Sequence, residues 1–101
     1  MNEYSLHTTV EVALQLAIKV RALRLLKGWT QVTLAERSGV SLASLRRFER
    51  TGQVSLQNLL RLAFALNRLD DFTLIMTKPS ASSIAELELE HKPRDRKRGR
   101  A

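Results

Sequence analysis

The chain has no cysteine among its 101 residues, so it can build neither a disulfide framework nor a thiolate metal site. Histidine is almost as scarce: His7 and His91 lie at opposite ends, in segments expected to be arms, and assemble neither a triad nor a metal cluster. No phosphate-binding glycine loop, HExxH pair or nucleophile elbow occurs. Ser38, Ser41, Ser44 and Ser55 have turn or cap roles and lack a base. No catalysis, cofactor or metal is therefore expected. A long apolar run is also missing, because Lys19 and Arg21 interrupt the richest stretch. A soluble protein of the cytoplasm, associated with the nucleoid, is the expectation.

The size allows one small domain, since compact units of about 60 to 70 residues fold alone or as dimers, with arms to spare. The net charge of +7 is unevenly spread. Residues 1–79 carry eleven Lys and Arg against six Asp and Glu, residues 80–91 carry three Glu, and residues 92–101 carry six basic residues against one acidic. A basic folded part and a basic tail thus flank an acidic segment. That balance favours a polyanion, and nucleic acid is the usual one. An anionic membrane surface would ask instead for a broad amphipathic helix.

The chain is organised around Thr30–Arg50, TQVTLAERSGVSLASLRRFER. Thr30 and Ser41 are N-cap residue types, and Gly39 in the Ser38–Ser41 turn supplies the backbone freedom a tight reversal requires. Two short helices joined by a turn are predicted. In the first, Leu34 and Ala35 share one side, leaving Gln31, Thr33, Glu36 and Arg37 for solvent or a partner. In the second, Leu45 and Phe48 lie three apart, whereas Ala43, Arg46, Arg47 and Arg50 fall opposite. A short helix with two apolar anchors and three outward arginines is shaped to enter a major groove.

On these residues, with Thr30-Gln31, Phe48-Glu49 and a later Leu59–Asn67 helix, the chain resembles the Cro and phage-repressor (Xre) family over residues 16–70. The resemblance implies an all-α, five-helix domain that binds a two-fold symmetric DNA operator as a homodimer. It implies base contacts from Leu42, Ala43, Ser44, Arg46 and Arg47. Leu42 and Ala43 stand where many relatives carry polar residues and could touch only thymine methyls. Phosphate contacts are implied at Thr30, Gln31 and Ser41, at the helix starts, and at Arg50, Thr51, Gln53 and Ser55 in the following loop. Those loop residues could instead merely close the turn. Arg24 falls among the leucines of the first helix and needs a partner if buried. Glu49, on the inner side of the recognition helix, is the partner the resemblance implies; the alternative is that both are solvated.

Around this core the rest of the chain falls into order. Residues 1–8 are an arm, and residues 9–77 form the DNA-binding and dimerisation domain. Its first helix is predicted from Thr8 or Thr9 to Lys27, with Gly28 as its left-handed stop and Trp29 folding back as core. The apolar positions of that helix spread over more than one face. Either the spare face meets a second subunit or the other four helices wrap it, and wrapping is the expectation. Ser55 caps a helix over Leu56–Leu66 whose core face is Leu59, Leu60, Leu62, Ala63 and Leu66, stopped at Asn67. Asp70 and Asp71 complement a helix dipole. Phe72–Met76 is then a fifth helix or a short dimerisation strand, with Phe72, Leu74 and Ile75 at the subunit contact. Residues 78–91 are a linker in which Ser83–Glu86 has capping-box spacing, and residues 92–101 are a disordered basic tail.

The run from Ser55 to Met76, followed by a polar linker and an RKRGR tail, also resembles the HipB-like antitoxins that pair with HipA-type kinase toxins. That similarity implies an autoregulatory repressor that binds its toxin. The alternatives are a plain Xre-type regulator, or a protein-interaction module that has kept the fold.

Overall fold

A computed structural model describes residues 7–79 of the protein. Four α-helices follow in order, α1 (Thr9–Leu26), α2 (Gln31–Ser38), α3 (Leu42–Thr51) and α4 (Leu56–Ala65), and a 3₁₀ turn covers Leu69–Thr73. Among the described residues there is no strand. The N-terminal arm through residue 6, the Ser83–Glu86 box and the basic tail lie outside the described residues.

Each helix begins on a hydroxyl. Thr30, Ser41 and Ser55 accept the backbone N–H three residues on, from Thr33, Ser44 and Asn58, each at 3.1 Å. Thr8 does the same for Glu11 at 3.1 Å, and the Glu11 carboxylate accepts the Thr8 N–H at 3.0 Å, completing a capping box. The exits are equally specific. After α1 the Gly28 N–H donates to Leu25 O at 2.9 Å and the Trp29 N–H to Arg24 O at 3.0 Å. This double bond pattern satisfies carbonyls the helix itself cannot. It turns Trp29 back against the core, with Arg37 over its ring at 4.6 Å. The α4 exit repeats it with Asn67 in the left-handed position, as Arg68 N–H reaches Ala63 O at 2.7 Å.

The core lies where α3 packs on α1 and where α2 meets both α3 and α4. Phe48, Leu34, Leu45 and Leu62 are fully buried at its centre, each contributing about 1.5–3 kcal/mol through removal of apolar surface from water. Ala17, Val20 and Arg24, three and four residues apart, form the buried stripe of α1. Leu60 is only half-buried, whereas the other expected α4 positions, Leu59, Leu62, Ala63 and Leu66, are inside.

Two expectations are corrected. The other helices do not wrap α1: Val10, Ile18 and Leu26 stay 62%, 64% and 83% exposed. The reason is length, since α1 has 18 residues against 10 in α3, so much of α1 has no helix beside it. The fifth element is also neither an α-helix nor a strand within this chain. It starts at Leu69 and is only five residues long. Arg68 pairs side-on with Asp71 at 3.0 Å and the Thr73 hydroxyl donates to Asp70 O at 2.8 Å, bonds that wind the backbone locally. Leu74–Met76 then continues as a bend and turn.

Candidate nucleic-acid interface

The outer face of α3 is fixed by what holds its inner face. Leu45 and Phe48 are completely buried, so helical geometry turns Ala43, Arg46, Arg47 and Arg50 outward, and all four are exposed. Leu42 and Ser44 are half-buried: Leu42 leans on the core, and Ser44 Oγ accepts from the Ser41 hydroxyl at 2.9 Å. The five residues considered for base contact therefore divide into three that project and two that sit at the edge.

Behind this face lies a buried polar cluster. Arg24 and Glu49 form a two-point ion pair, Nε to Oε2 at 2.8 Å and Nη2 to Oε1 at 2.9 Å, with side chains only 7% and 5% exposed. The remaining Arg24 amine, Nη1, donates to Trp29 O at 2.9 Å. Burial works against the charged form of Glu49, but hydrogen bonds from Arg24 and Gln31 and the charges of Arg24 and Arg21 outweigh it. The carboxyl is held below its ordinary value.

Gln31, at the first position of α2, is half-buried. Its Nε2 donates to Glu49 Oε1 at 2.9 Å, and its Oε1 accepts from Arg46 Nε at 3.4 Å. Thr30 and Ser41 are exposed caps of α2 and α3, and Arg50 is exposed near the end of α3. Beyond it the Thr51 hydroxyl donates to Arg47 O at 2.7 Å and accepts the Gln53 N–H at 3.1 Å. Arg47 Nη2 donates to Gln53 Oε1. A small polar hollow of about 220 Å³ opens there, lined by Ser44, Arg47, Gln53, Val54, Ser55 and Asn58.

Asn58 was not singled out by sequence reasoning. It stands in the first turn of α4, three residues after the Ser55 cap, and accepts a bond from Arg61 at 3.2 Å. A polar residue facing out of a capped first turn was the available signal. The dimer candidates lie apart from this face: Phe72 is half-buried against the core, while Leu74 and Ile75 are 71% and 51% exposed.

The arrangement can do one kind of chemistry, charge-assisted hydrogen bonding to an anion or a base edge from a short, rigidly backed helix. No helix among the described residues is long and apolar enough to cross a membrane. Among curated proteins none matches the sequence. The helix-turn-helix family model matches residues 20–72, just over half of the chain, from the middle of α1 to the 3₁₀ turn. The protein belongs to the Cro/C1-type, Xre-like helix-turn-helix family, whose members are DNA-binding regulators rather than enzymes.

Proposed function

We propose that the protein is a sequence-specific transcriptional repressor that binds a two-fold symmetric operator as a homodimer. One observation carries this reading: Arg46, Arg47 and Arg50 stand exposed on one face of a helix whose other face is anchored by Leu45 and Phe48. A module that had kept the fold for protein contacts alone would not need three arginines there. Ala43, Arg46 and Arg47 face the groove in this reading, with Leu42 and Ser44 at its rim. Thr30, Ser41, Arg50, Thr51, Gln53 and Ser55 meet phosphates on either side, where backbone N–H groups at the helix starts add their own attraction.

Dimerisation through the C-terminal part of the domain is supported by exposed apolar surface. Leu74 and Ile75 are 71% and 51% exposed, and Ile75 lines a groove of about 730 Å³ with Leu16, Leu23, Ala63 and Phe72. An apolar groove with exposed apolar residues at its lining suits an interaction site. The antitoxin form of the reading rests on the HipB-like character of Ser55–Met76 and the RKRGR tail, with a HipA-type kinase toxin as second partner.

Selection of bound sequences from random duplex, followed by gel shift on the selected site, tests the proposal. A palindromic site with half-site centres about 34 Å apart is expected. Equal affinity for selected and scrambled duplex at moderate salt would refute it. Co-purification with a kinase-like toxin expressed alongside tests the antitoxin form, and failure of a stable complex would leave a plain regulator.

A further inference from the structure

The two arginines at the centre of the recognition face are held in different ways. Arg46 donates from Nε to the Gln31 carbonyl oxygen at 3.4 Å, a bond that uses neither terminal amine. Arg47 has one terminal amine, Nη2, committed to Gln53 in the turn after α3. Bidentate recognition of a guanine by O6 and N7 needs two adjacent free donors on one edge of the guanidinium. The Gln31 bond leaves the whole terminal edge of Arg46 available, whereas Gln53 takes one of the two Nη2 hydrogens of Arg47 and draws its guanidinium toward the turn after α3.

The hold on Arg46 is itself anchored. The Gln31 amide has one polar end against a carboxylate and the other against a guanidinium, so its orientation is dictated. Turning it over would set its carbonyl against the Glu49 carboxylate and its NH₂ against Arg46, two repulsive contacts in place of two attractive ones. Glu49 is immobilised in turn by Arg24. A continuous polar chain, Arg24–Glu49–Gln31–Arg46, runs from the interior to the groove-facing surface.

We propose that Gln31 is a positioning residue that aims Arg46, and that Arg46 rather than Arg47 sets the base preference at the centre of each half-site. The proposal rests on the DNA-binding reading above. It takes the Gln31 side chain away from the phosphate, which its place at the start of α2 would otherwise suggest. A long arginine fixed before binding loses less freedom on contact, so its discrimination between bases is sharper. Arg47, drawn toward Gln53 and Ser55, belongs with the backbone contacts.

The test is a double-mutant cycle on the full chain, with Gln31→Met, Arg46→Ala and Arg47→Ala alone and Gln31→Met combined with Arg46→Ala. Affinity is measured at fixed salt for the selected site, for every single-base-pair variant of it, and for scrambled duplex. Arg46→Ala is expected to lower affinity for the selected site by about five- to 150-fold for each half-site and to abolish preference at one base pair in each. Gln31→Met is expected to weaken preference at that same base pair while leaving scrambled-duplex affinity unchanged, and the double variant to be no worse than Arg46→Ala. Arg47→Ala should lower affinity for all sequences alike. Additive losses in the double variant would overturn the proposal, as would a Gln31→Met variant weakened equally on every sequence. Should Gln31→Met unfold, Gln31→Asn, whose amide is one methylene too short to span Glu49 and Arg46, takes its place and must weaken preference at that base pair. Retained preference would overturn the proposal. Failure of the native protein to distinguish the selected site from scrambled duplex would instead strike the DNA-binding reading, and this proposal with it.

Discussion

Gly52 closes α3 in the left-handed region, at φ +81, and a methyl group there would meet the backbone of α1. An added Cβ would lie 2.8 Å from the Ala13 carbonyl carbon and 3.0 Å from both Ala13 O and Leu14 N. Gly39, which closes α2 at φ +78, has nothing within 4 Å of the same position. The two glycines therefore separate two effects that usually come mixed. The left-handed conformation alone costs an L-residue about 1–2 kcal/mol, and this is the whole expectation for Gly39→Ala. Gly52→Ala adds forced displacement of packed backbone, about 1–3 kcal/mol more, giving about 2–5 kcal/mol in all. Loss of unfolded-state freedom offsets both by about the same 0.4–1 kcal/mol and leaves the difference intact.

Equilibrium urea unfolding measures this difference, with Trp29 as the fluorescence probe because it is the only tryptophan and is half-buried against the core. Gly52→Ala should unfold at clearly lower urea than Gly39→Ala at an unchanged slope. Equal midpoints for the two variants would refute the close approach of the α3–α4 turn to α1. The contact matters beyond stability, because that turn fixes the end of the recognition helix and carries Gln53.

Three further outcomes follow from the same structure. Glu49→Gln leaves the Arg24 charge buried without its counter-charge and should cost about 3–5 kcal/mol in the same urea assay. Because the folded-state value of Glu49 is depressed, its contribution is fully present above its ordinary value of 4.5 and is lost as pH falls through the lower folded value. Glu49→Gln should lack that share of the acid-induced drop in urea midpoint. Replacing Phe72 and Ile75 together by Asp should give monomers in sedimentation that bind the operator weakly, since each presents one recognition helix instead of two. A stable dimer would move the interface to the exposed Val10, Ile18 and Leu26 of α1.

The parts of this fold legible in sequence are those decided within a few residues. Thr30, Ser41 and Ser55 mark three helix starts because a hydroxyl reaches a backbone N–H only three positions away. Gly28 and Asn67 mark two ends for a similarly local reason, their tolerance of positive φ. The Thr8–Glu11 box was equally readable and fixes the start that spacing alone left between two residues. Phe72–Met76 was not legible, because its β-branched and aromatic composition favours extended backbone while Asp70, Asp71 and Arg68 favour a wound one. The 3₁₀ turn shows that the local bonds prevail within this chain. Behind the recognition face the Arg24–Glu49 pair was reached only through the family resemblance, and the Gln31 contacts were out of reach for another reason. Gln31 meets Glu49 across 18 positions and Arg46 across 15, separations at which periodicity carries no information about side-chain direction.

Arg24 remains the residue whose presence apolar packing would not choose. Its place on α1, one turn beyond Val20 and two beyond Ala17, would suit a leucine, and replacing a buried ion pair with well-packed apolar residues is often neutral or stabilising. What a leucine could not supply is direction. Apolar contacts between α1 and α3 tolerate sliding, whereas two parallel N–H···O bonds to Glu49 and a third to Trp29 O specify one register and one rotation. The rotation of α3 about its axis decides where Arg46, Arg47 and Arg50 point, and an error of one residue on a helix turns a side chain by about 100°. In a helix of ten residues the pair holds that angle together with Leu45, Phe48, Leu42 and the Gly52 turn against α1. The buried charge therefore fixes how α3 is turned against α1, an angle that the apolar packing of Leu45 and Phe48 alone defines less sharply.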